Sequence, residues 1–290
     1  MTDDRVLDPA IVERFRRDGF VVVDDVFTDA EMDAMTAAVA AAVEADMRED
    51  TRALAEKSRY EQSFQQCLYL WARYPDVAPW TAHPRLAATA AALLGAERVR
   101  IWHDQALFKE PGGRPTDPHQ DHPYWPIAEP DQVTAWIPLD GSTSEAGAMS
   151  YWPGSHRLGL DLFVNIFGDT DPDDIGHHPA LDGVDAVTLE VPRGSVAFHH
   201  GLTAHRASGN STGRTRRVHT VIFTADGVHR KEGLGHPSVD IDGIAPGEPI
   251  AGDLTPVVWP APPAPPVAPP TVVAQLEQAR RARLAQRLGK

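Results

Sequence analysis

A series of short β-type runs between residues 98 and 223 constrains the fold more than any other feature. Val, Ile, Thr and aromatic residues fill the runs, and Gly, Pro, Asp and Asn separate them. Many short strands with turn residues between them are typical of a β-sandwich or a jelly roll. The sequence therefore predicts a mainly β core, with strands at 99–108, 133–139, 186–191, 195–199 and 218–223.

Helix signals dominate residues 1–97. Thr28 and Glu31 form a capping box in front of an Ala-rich stretch that ends near Met47. The predicted helices cover 9–18, 29–47 and 84–94, an apolar strand lies at 20–23, and polar helix-compatible sequence continues from 48 to 66. We therefore expect helices on the flanks of the β core.

The C-terminal part has a different composition. Residues 256–270 include eight prolines, which predicts a polyproline-like arm or linker rather than a packed strand or helix. A basic helix, most simply a solvated tail, is expected at 271–290. The predicted organisation is one domain at 1–255, with a helical part at 1–97 and a jelly-roll core at 98–225, followed by the arm and helix at 256–290.

Composition excludes several classes of partner and predicts a location. A net charge of −14 disfavours a broad nucleic-acid surface, because phosphate contacts require clustered Lys and Arg. No apolar run is long enough for a membrane span, and the acidic N-terminus does not resemble a signal peptide. The single Cys67 suits a reducing compartment. We expect a cytoplasmic protein with a small-molecule substrate and no nucleic-acid or membrane partner.

His119 and Asp121 stand on either side of Gln120. Two imidazoles and one carboxylate, with open positions left on the metal, are the ligand set of non-haem iron(II) oxygenases. In an extended segment, side chains at i and i+2 lie on one side, so both residues would reach one metal ion while Gln120 points away. In a chain with 13 histidines the H-x-D motif is weak by itself.

A second pattern supplies the missing ligand and a cation. His205 precedes an Asn/Ser/Gly turn at 209–213, and Arg216 follows His205 by eleven residues. An iron-bound 2-oxo acid needs a cation for its distal carboxylate, and a guanidinium pairs with it through two prongs. If His205 and Arg216 lie on adjacent antiparallel strands, the metal and the cation face one pocket.

Neighbouring residues remain as alternatives for both roles. His199 and His200 are rival third ligands, and Arg217 is the fallback for Arg216. We prefer His205 because of its spacing to the turn and to Arg216.

Six segments together carry a more specific signal than any single motif. They read ERFRRDGFVVVDDVFTDAEMDAM, WHDQALFKEPGG, HQDHPYWP, AWIPLD, EAGAMSYWPGSHR and FHHGLTAHRASGNSTGRTRR. In these segments the chain resembles the phytanoyl-CoA dioxygenase family, a branch of the Fe(II)/2-oxoglutarate oxygenases. The resemblance implies a double-stranded β-helix (a cupin-like jelly roll) with flanking helices. It also implies a hydroxylase that uses Fe(II), O2 and 2-oxoglutarate and releases succinate and CO2.

The resemblance also implies roles for individual residues. His119, Asp121 and His205 match the iron ligands, and Arg216 matches the 2-oxoglutarate anchor. The resemblance also places Gln105 and Trp136 near the co-substrate. From their positions in the sequence, Tyr124, Trp125 and His156 are expected near the substrate, and residues 160–179 are expected to wall the pocket. The presence of Asp121 points to hydroxylation rather than halogenation, since halogenating relatives lack this carboxylate.

The sequence departs from the family pattern in two regions. Ala207 stands where relatives often have a serine, and Gln62, Gln65 and Gln66 occupy a region where some members use a lysine. Two alternatives therefore stay open. One is a jelly-roll Zn or Mn hydrolase or isomerase, and the other is a binding module that keeps the metal without turnover. Neither the substrate nor the oligomeric state follows from the sequence.

Overall fold

Two antiparallel sheets face each other in the computed structural model, which describes residues 7–168 and 175–289. The strands are β1 (Phe20–Val23), β2 (Gln65–Leu68), β3 (Val99–Phe108), β4 (Thr116–His119), β5 (Gln132–Pro138), β6 (Met149–Tyr151), β7 (Val187–Leu189), β8 (Val196–His200), β9 (His205–Ala207), β10 (Val218–Ala225) and β11 (Val257–Trp259). The major sheet has the order β1-β8-β5-β10-β3-β11, with β2 also on β3, and the minor sheet has the order β4-β9-β6-β7. The predicted jelly roll is confirmed.

Seven helices accompany these sheets within the described residues: α1 (Pro9–Asp18), α2 (Asp29–Met47), α3 (Leu70–Arg73), α4 (Ala78–Thr81), α5 (Pro84–Leu94), α6 (Pro237–Asp240) and α7 (Pro270–Arg287). The capping box of Thr28 and Glu31 begins α2 as predicted, and Gly95 ends α5 in the left-handed conformation. None of the helices in the described ranges is long and apolar enough to cross a membrane.

The major sheet is covered on both faces. All seven residues of β5 are buried, because helices pack on one face of the sheet and the minor sheet lies over the other. On β3, side chains alternate between these two sides. Ala106 belongs to the core under the helices, whereas His103, Gln105 and Leu107 line a cavity between the sheets. The alternation places polar side chains inside the barrel.

Two predictions about the chain outside the core are wrong. Residues 48–66 do not continue as a long helix, since they form a short 3-10 turn (Leu54–Glu56) and then enter strand β2. The proline-rich stretch includes a strand as well, because Val257–Trp259 pairs with β3. β11 is an edge strand, so the backbone on its outer side forms no ladder hydrogen bonds. Prolines, which lack a backbone N–H group, can therefore flank this strand. The division into a domain at 1–255 and a separate arm stays a prediction.

A buried ion-pair network joins α7 to the domain. Arg73 donates to both carboxylate oxygens of Asp46 at 2.6 and 2.5 Å, to Glu277 on α7 at 3.0 Å and to the Leu68 carbonyl at 2.8 Å. The Arg73 and Asp46 side chains are only 3% and 4% exposed. Either residue alone would be an uncompensated buried charge. The pair therefore fixes the position of Arg73 relative to Asp46.

Replacing Arg73 with methionine should therefore destabilise the protein. The change keeps an apolar stem but leaves the buried Asp46 carboxylate with only the more distant Arg280, at 3.7 Å, and the Tyr74 hydroxyl as partners. We expect the free energy of unfolding to fall by about 3 kcal/mol. Urea unfolding followed by circular dichroism measures the loss. Arg16→Met is the control, because Arg16 and Glu13 form an exposed pair (58% and 73%) that contributes less than about 1 kcal/mol. Equal small losses in both variants would contradict the role of the network.

Candidate metal centre and active-site pocket

His119 and His205 form a cross-strand pair between β4 and β9 of the minor sheet. Both rings are buried, and their centroids lie 4.3 Å apart. The Nδ1–H group of His119 donates to the Asp117 carbonyl at 2.7 Å, and that of His205 donates to the Thr203 carbonyl at 2.9 Å. These bonds leave each Nε2 with its lone pair free, as a metal-ligating imidazole requires.

The Asp121 carboxylate completes a cluster with the two imidazoles. Its Oδ1 lies 3.7 Å from the Nε2 atoms of both His119 and His205, and the three ligand atoms lie within 4.8 Å of one another. The chain does not run extended through Asp121 as predicted, because this residue has helical backbone angles and opens a 3-10 turn at His122–Tyr124. Gln120 points away from the cluster, as expected, and donates to the Leu202 carbonyl at 2.6 Å.

The second Asp121 oxygen is held by two donors from the major sheet. Thr134 Oγ1 and His199 Nε2 each lie 3.1 Å from Oδ2. His199, a rival for the third ligand, thus contacts Asp121 instead of joining the three-residue cluster. His200 faces elsewhere, since its Nδ1 accepts from the Leu202 amide and its ring packs near His156.

Burial sets the protonation state of the cluster. It lowers the pKa of His119 and His205 to about 4, so both imidazoles are neutral at pH 7. Burial alone would raise the pKa of Asp121, but the nearby His205 and the hydrogen bond from His199 outweigh it and hold that pKa below its ordinary value. The cluster therefore presents two neutral nitrogens and one anionic carboxylate.

Arg216 lines the same cavity from the major sheet. It lies just before β10 and forms an isolated backbone β-bridge with Lys109. It is therefore not on a strand adjacent to His205, as the sequence suggested, but faces β9 from the opposite sheet. Its Nη1 donates to the Gly147 carbonyl at 2.8 Å, whereas its buried Nε has no hydrogen-bond partner among the described residues. The guanidinium lies 5.4 Å from the Trp136 ring centre.

A guanidinium buried in this way is a strong anion site. Burial lowers the pKa of Arg216 to about 10, which still leaves it charged at neutral pH. The unpaired Nε–H carries a desolvation cost that a ligand carboxylate would offset.

The cavity between the sheets has a volume of about 250 Å³ and includes most of the predicted residues. Trp136, Gln105, Tyr124 and Trp125 all line it, as do Ile166 and Phe167 from the expected wall at 160–179. Residues 169–174 of that segment lie outside the described residues. Ala207 and Gln66, one residue from each region that departs from the family pattern, line it as well.

His156 is not among the residues that line this cavity. Its Nε2–H donates to the Arg16 carbonyl at 3.2 Å, and its ring packs against the backbone of Gly19. The expectation that His156 faces the pocket is therefore wrong, because the turn that carries it packs on α1 instead of the cavity.

Several pocket residues were not predicted from the sequence. His103, Thr220, His236 and Arg283 are not among the residues predicted above, yet all four line the cavity. His103 carried a usable signal, because it lies two residues before Gln105 in a strand and therefore shares its face. His236 and Arg283 come from outside the barrel, and no local pattern places them.

Comparisons with known proteins agree with this geometry. A family model described as phytanoyl-CoA dioxygenase matches residues 15–218. A curated relative, "probable alpha-ketoglutarate-dependent hypophosphite dioxygenase" from Stutzerimonas stutzeri, is 29% identical over 137 residues, which are 44% of this chain and 46% of that protein. The chain thus spans about half the length of the first curated relatives that it matches.

Solved structures match over a larger share. The non-haem alpha-ketoglutarate-dependent carbocyclase SnoK from nogalamycin biosynthesis has a TM-score of 0.72 at 27% identity and covers 87% of this chain and 96% of its own. The epimerase SnoN in complex with Fe3+, alpha-ketoglutarate and nogalamycin RO has the same TM-score at 25% identity, covering 87% of this chain and all of its own. The cluster, the buried arginine and the family match over most of the chain lead to one conclusion: the chain belongs to the phytanoyl-CoA dioxygenase family.

Proposed function

We propose that the protein is a non-haem Fe(II)- and 2-oxoglutarate-dependent dioxygenase that hydroxylates a small-molecule substrate and releases succinate and CO2. One observation carries the proposal. A cluster of two neutral imidazoles and one carboxylate shares a single cavity with a buried guanidinium. His119, Asp121 and His205 would hold the iron, and Arg216 would bind the distal carboxylate of 2-oxoglutarate.

The ligand set suits iron(II) by its chemistry. Two histidines and one carboxylate on one side leave the other coordination positions open for the 2-oxo acid and O2. Bound iron would supply the oxidising chemistry of decarboxylation and C–H oxidation. The protein supplies the fixed geometry, since Thr134 and His199 hold one Asp121 oxygen and thereby direct the other toward the two imidazoles.

The buried arginine weighs against the alternative metal chemistries. A zinc or manganese hydrolase could use the same three ligands, but it would leave Arg216 charged and without an anion inside the cavity. A binding module without turnover has only Ala207 in its favour, because this position lacks a hydroxyl that could contact the co-substrate. The intact cluster and Arg216 together favour the oxygenase.

Other features support the substrate class and the location of the protein. SnoK and SnoN belong to nogalamycin biosynthesis, and SnoN was solved with nogalamycin RO, which supports an organic small molecule as substrate here. The acidic chain gives no support to a nucleic-acid partner. The single cysteine, Cys67, is buried and free, which supports a reducing cytoplasm as the site of action.

An anaerobic titration tests the cofactor assignment. Adding iron(II) and then 2-oxoglutarate to the metal-free protein should produce the visible charge-transfer band of the chelate. His205→Ala should abolish the band, because only two ligands remain. Arg216→Gln should keep the band but weaken 2-oxoglutarate binding roughly 100-fold, the loss expected for a charge-assisted pair worth about 3 kcal/mol.

Arg217→Gln is the matched control for that titration. Arg217 is adjacent in sequence, but it pairs with Asp140 at the surface, so its replacement should leave 2-oxoglutarate affinity unchanged. Metal binding without any band in the wild-type protein would refute the oxygenase assignment. An equal loss in both arginine variants would refute the role of Arg216.

The pKa values of the ligands predict how metal binding depends on pH. Because burial lowers the pKa of His119 and His205 to about 4, below the ordinary value of about 6.5, the metal-binding neutral form already dominates at pH 7. Manganese(II) binding should therefore release almost no protons at pH 7, and the affinity should stay level down to about pH 5 before it falls. Calorimetry in buffers of different ionisation enthalpy counts the protons. Substantial proton release near pH 6.5 would show that the two imidazoles are not buried as described.

A further inference from the structure

The C-terminal helix contributes an arginine to the mouth of the pocket, although α7 lies outside the stretch that matches the family model. Two of its arginines are neutralised: Arg280 pairs with Glu277 at 3.1 Å, and Arg287 with Glu61 at 3.3 Å. Arg283 lies between them on the same helix and lines the pocket. It forms no hydrogen bond or ion pair with any residue that the structure describes.

Arg283 faces a polar side of the cavity. Burial and the Arg283 charge both lower the pKa of His103 and His236, so the guanidinium acts on both imidazoles. His103 is 3% exposed, and its Nδ1 has no hydrogen-bond partner among the described residues. The His236 Nδ1, by contrast, lies 3.3 Å from the Tyr69 hydroxyl. The pocket thus contains a buried imidazole and a guanidinium that lack partners among the described residues and are available to a ligand.

An aromatic wall lines part of the cavity. The ring centres of Tyr60 and Phe167 lie 4.8 Å apart with tilted planes, and Tyr124 meets Phe167 edge-on at 5.4 Å. Phe64 extends this wall, with its ring centre 5.2 Å from that of Tyr60. Such a surface suits a flat or apolar carbon skeleton, which would lie between the rings and the metal cluster.

The charges in the pocket are not balanced. Asp121 supplies the only carboxylate among the described residues that line it, and that group is a proposed metal ligand. Arg216 is assigned to 2-oxoglutarate. Two further cations line the pocket without an ion-pair partner among the described residues: Arg206, whose guanidinium lies 5.3 Å from the Trp152 ring centre, and Arg283. The chain as a whole has a net charge of −14. An exposed cation in an acidic protein, placed where a substrate enters, indicates complementarity to the substrate.

We propose that the organic substrate carries a carboxylate, which Arg283 binds at the mouth of the pocket. His103 donates a hydrogen bond from Nδ1 deeper inside, and the apolar body of the substrate lies against the aromatic wall. The proposal rests on the proposed oxygenase function and adds a substrate class and a specificity residue to it. The C-terminal helix is thereby a part of the substrate site, and the Arg73 network holds it in place.

A pair of probes that differ only in charge tests this role. 2-Naphthoate and 2-naphthamide share the same aromatic body, and tryptophan fluorescence reports the binding of either one. In the protein loaded anaerobically with iron(II) and 2-oxoglutarate, the wild type should prefer the carboxylate about tenfold, the effect of a charge-assisted hydrogen bond at a solvent-accessible site. Arg283→Gln should lose this preference, and Arg283→Lys should keep most of it.

Arg281→Gln is the matched control, because Arg281 is exposed on the same helix and does not line the pocket. It should bind both probes as the wild type does. Equal binding of the two probes by the wild type, or an unchanged preference in Arg283→Gln, would overturn the proposal. Circular dichroism confirms that each variant is folded.

A second arm separates this proposal from the proposed function. The same probes are titrated into metal-free Arg216→Gln protein, in which neither iron nor the buried arginine can bind the carboxylate. A preference for 2-naphthoate that still depends on Arg283 would support the substrate site even if the wild-type protein forms no iron–2-oxoglutarate band. A normal band in the wild type without any preference for 2-naphthoate would refute the substrate site but not the oxygenase assignment.

Discussion

The pairing of His119 with His205 across β4 and β9 is the contact on which the candidate site depends. The two strands have only four and three residues, yet their register brings the two imidazoles together. The carbonyls of Asp117 and Thr203 then orient both rings through Nδ1. The minor sheet thus provides the nitrogen ligands, and its position over the major sheet decides what else can reach them.

The major sheet supplies the residues that hold the Asp121 carboxylate and the arginine that faces the two histidines. Thr134 and His199, on the adjacent strands β5 and β8, hold the Asp121 carboxylate from the far side. Arg216 approaches from the end of the same sheet, with its Nε buried and unpaired. Polar groups buried without partners are costly in a stable core. Three such groups, Arg216 Nε, His103 Nδ1 and Thr220 Oγ1, belong to residues that line the cavity, where a bound ligand would supply their partners. The structure tolerates this cost because apolar clusters surround the cavity between the sheets and under the helices.

Local signals in the sequence predicted the elements that local interactions determine. The capping box at Thr28 placed α2, and runs of β-branched residues placed the long strands β3, β5 and β10. Several short strands were missed, among them β4, which contains a proline, and β2, which reads Gln-Gln-Cys-Leu. Only tertiary pairing makes these segments extended.

The same distinction explains which site residues were found. His119, Asp121, His205 and Arg216 lie in motifs with fixed spacing. The predicted adjacency of the strands that carry His205 and Arg216 is wrong, because the two residues belong to opposite sheets. His103, His236 and Arg283 reach the pocket from separate parts of the chain, and packing alone brings them together. The prediction for His156 is wrong for a different reason. His156 is close to the barrel strands in sequence, but its side chain lies outside the cavity.

A crystal structure of the protein grown anaerobically with iron(II) and 2-oxoglutarate would test the central claim most directly. The claim is that the cluster and Arg216 hold opposite ends of one co-substrate molecule. The account predicts iron bound to His119 Nε2, Asp121 and His205 Nε2, with the distal carboxylate paired to the Arg216 guanidinium. Iron bound to His199 in place of His205, or a co-substrate carboxylate on another cation, would contradict it.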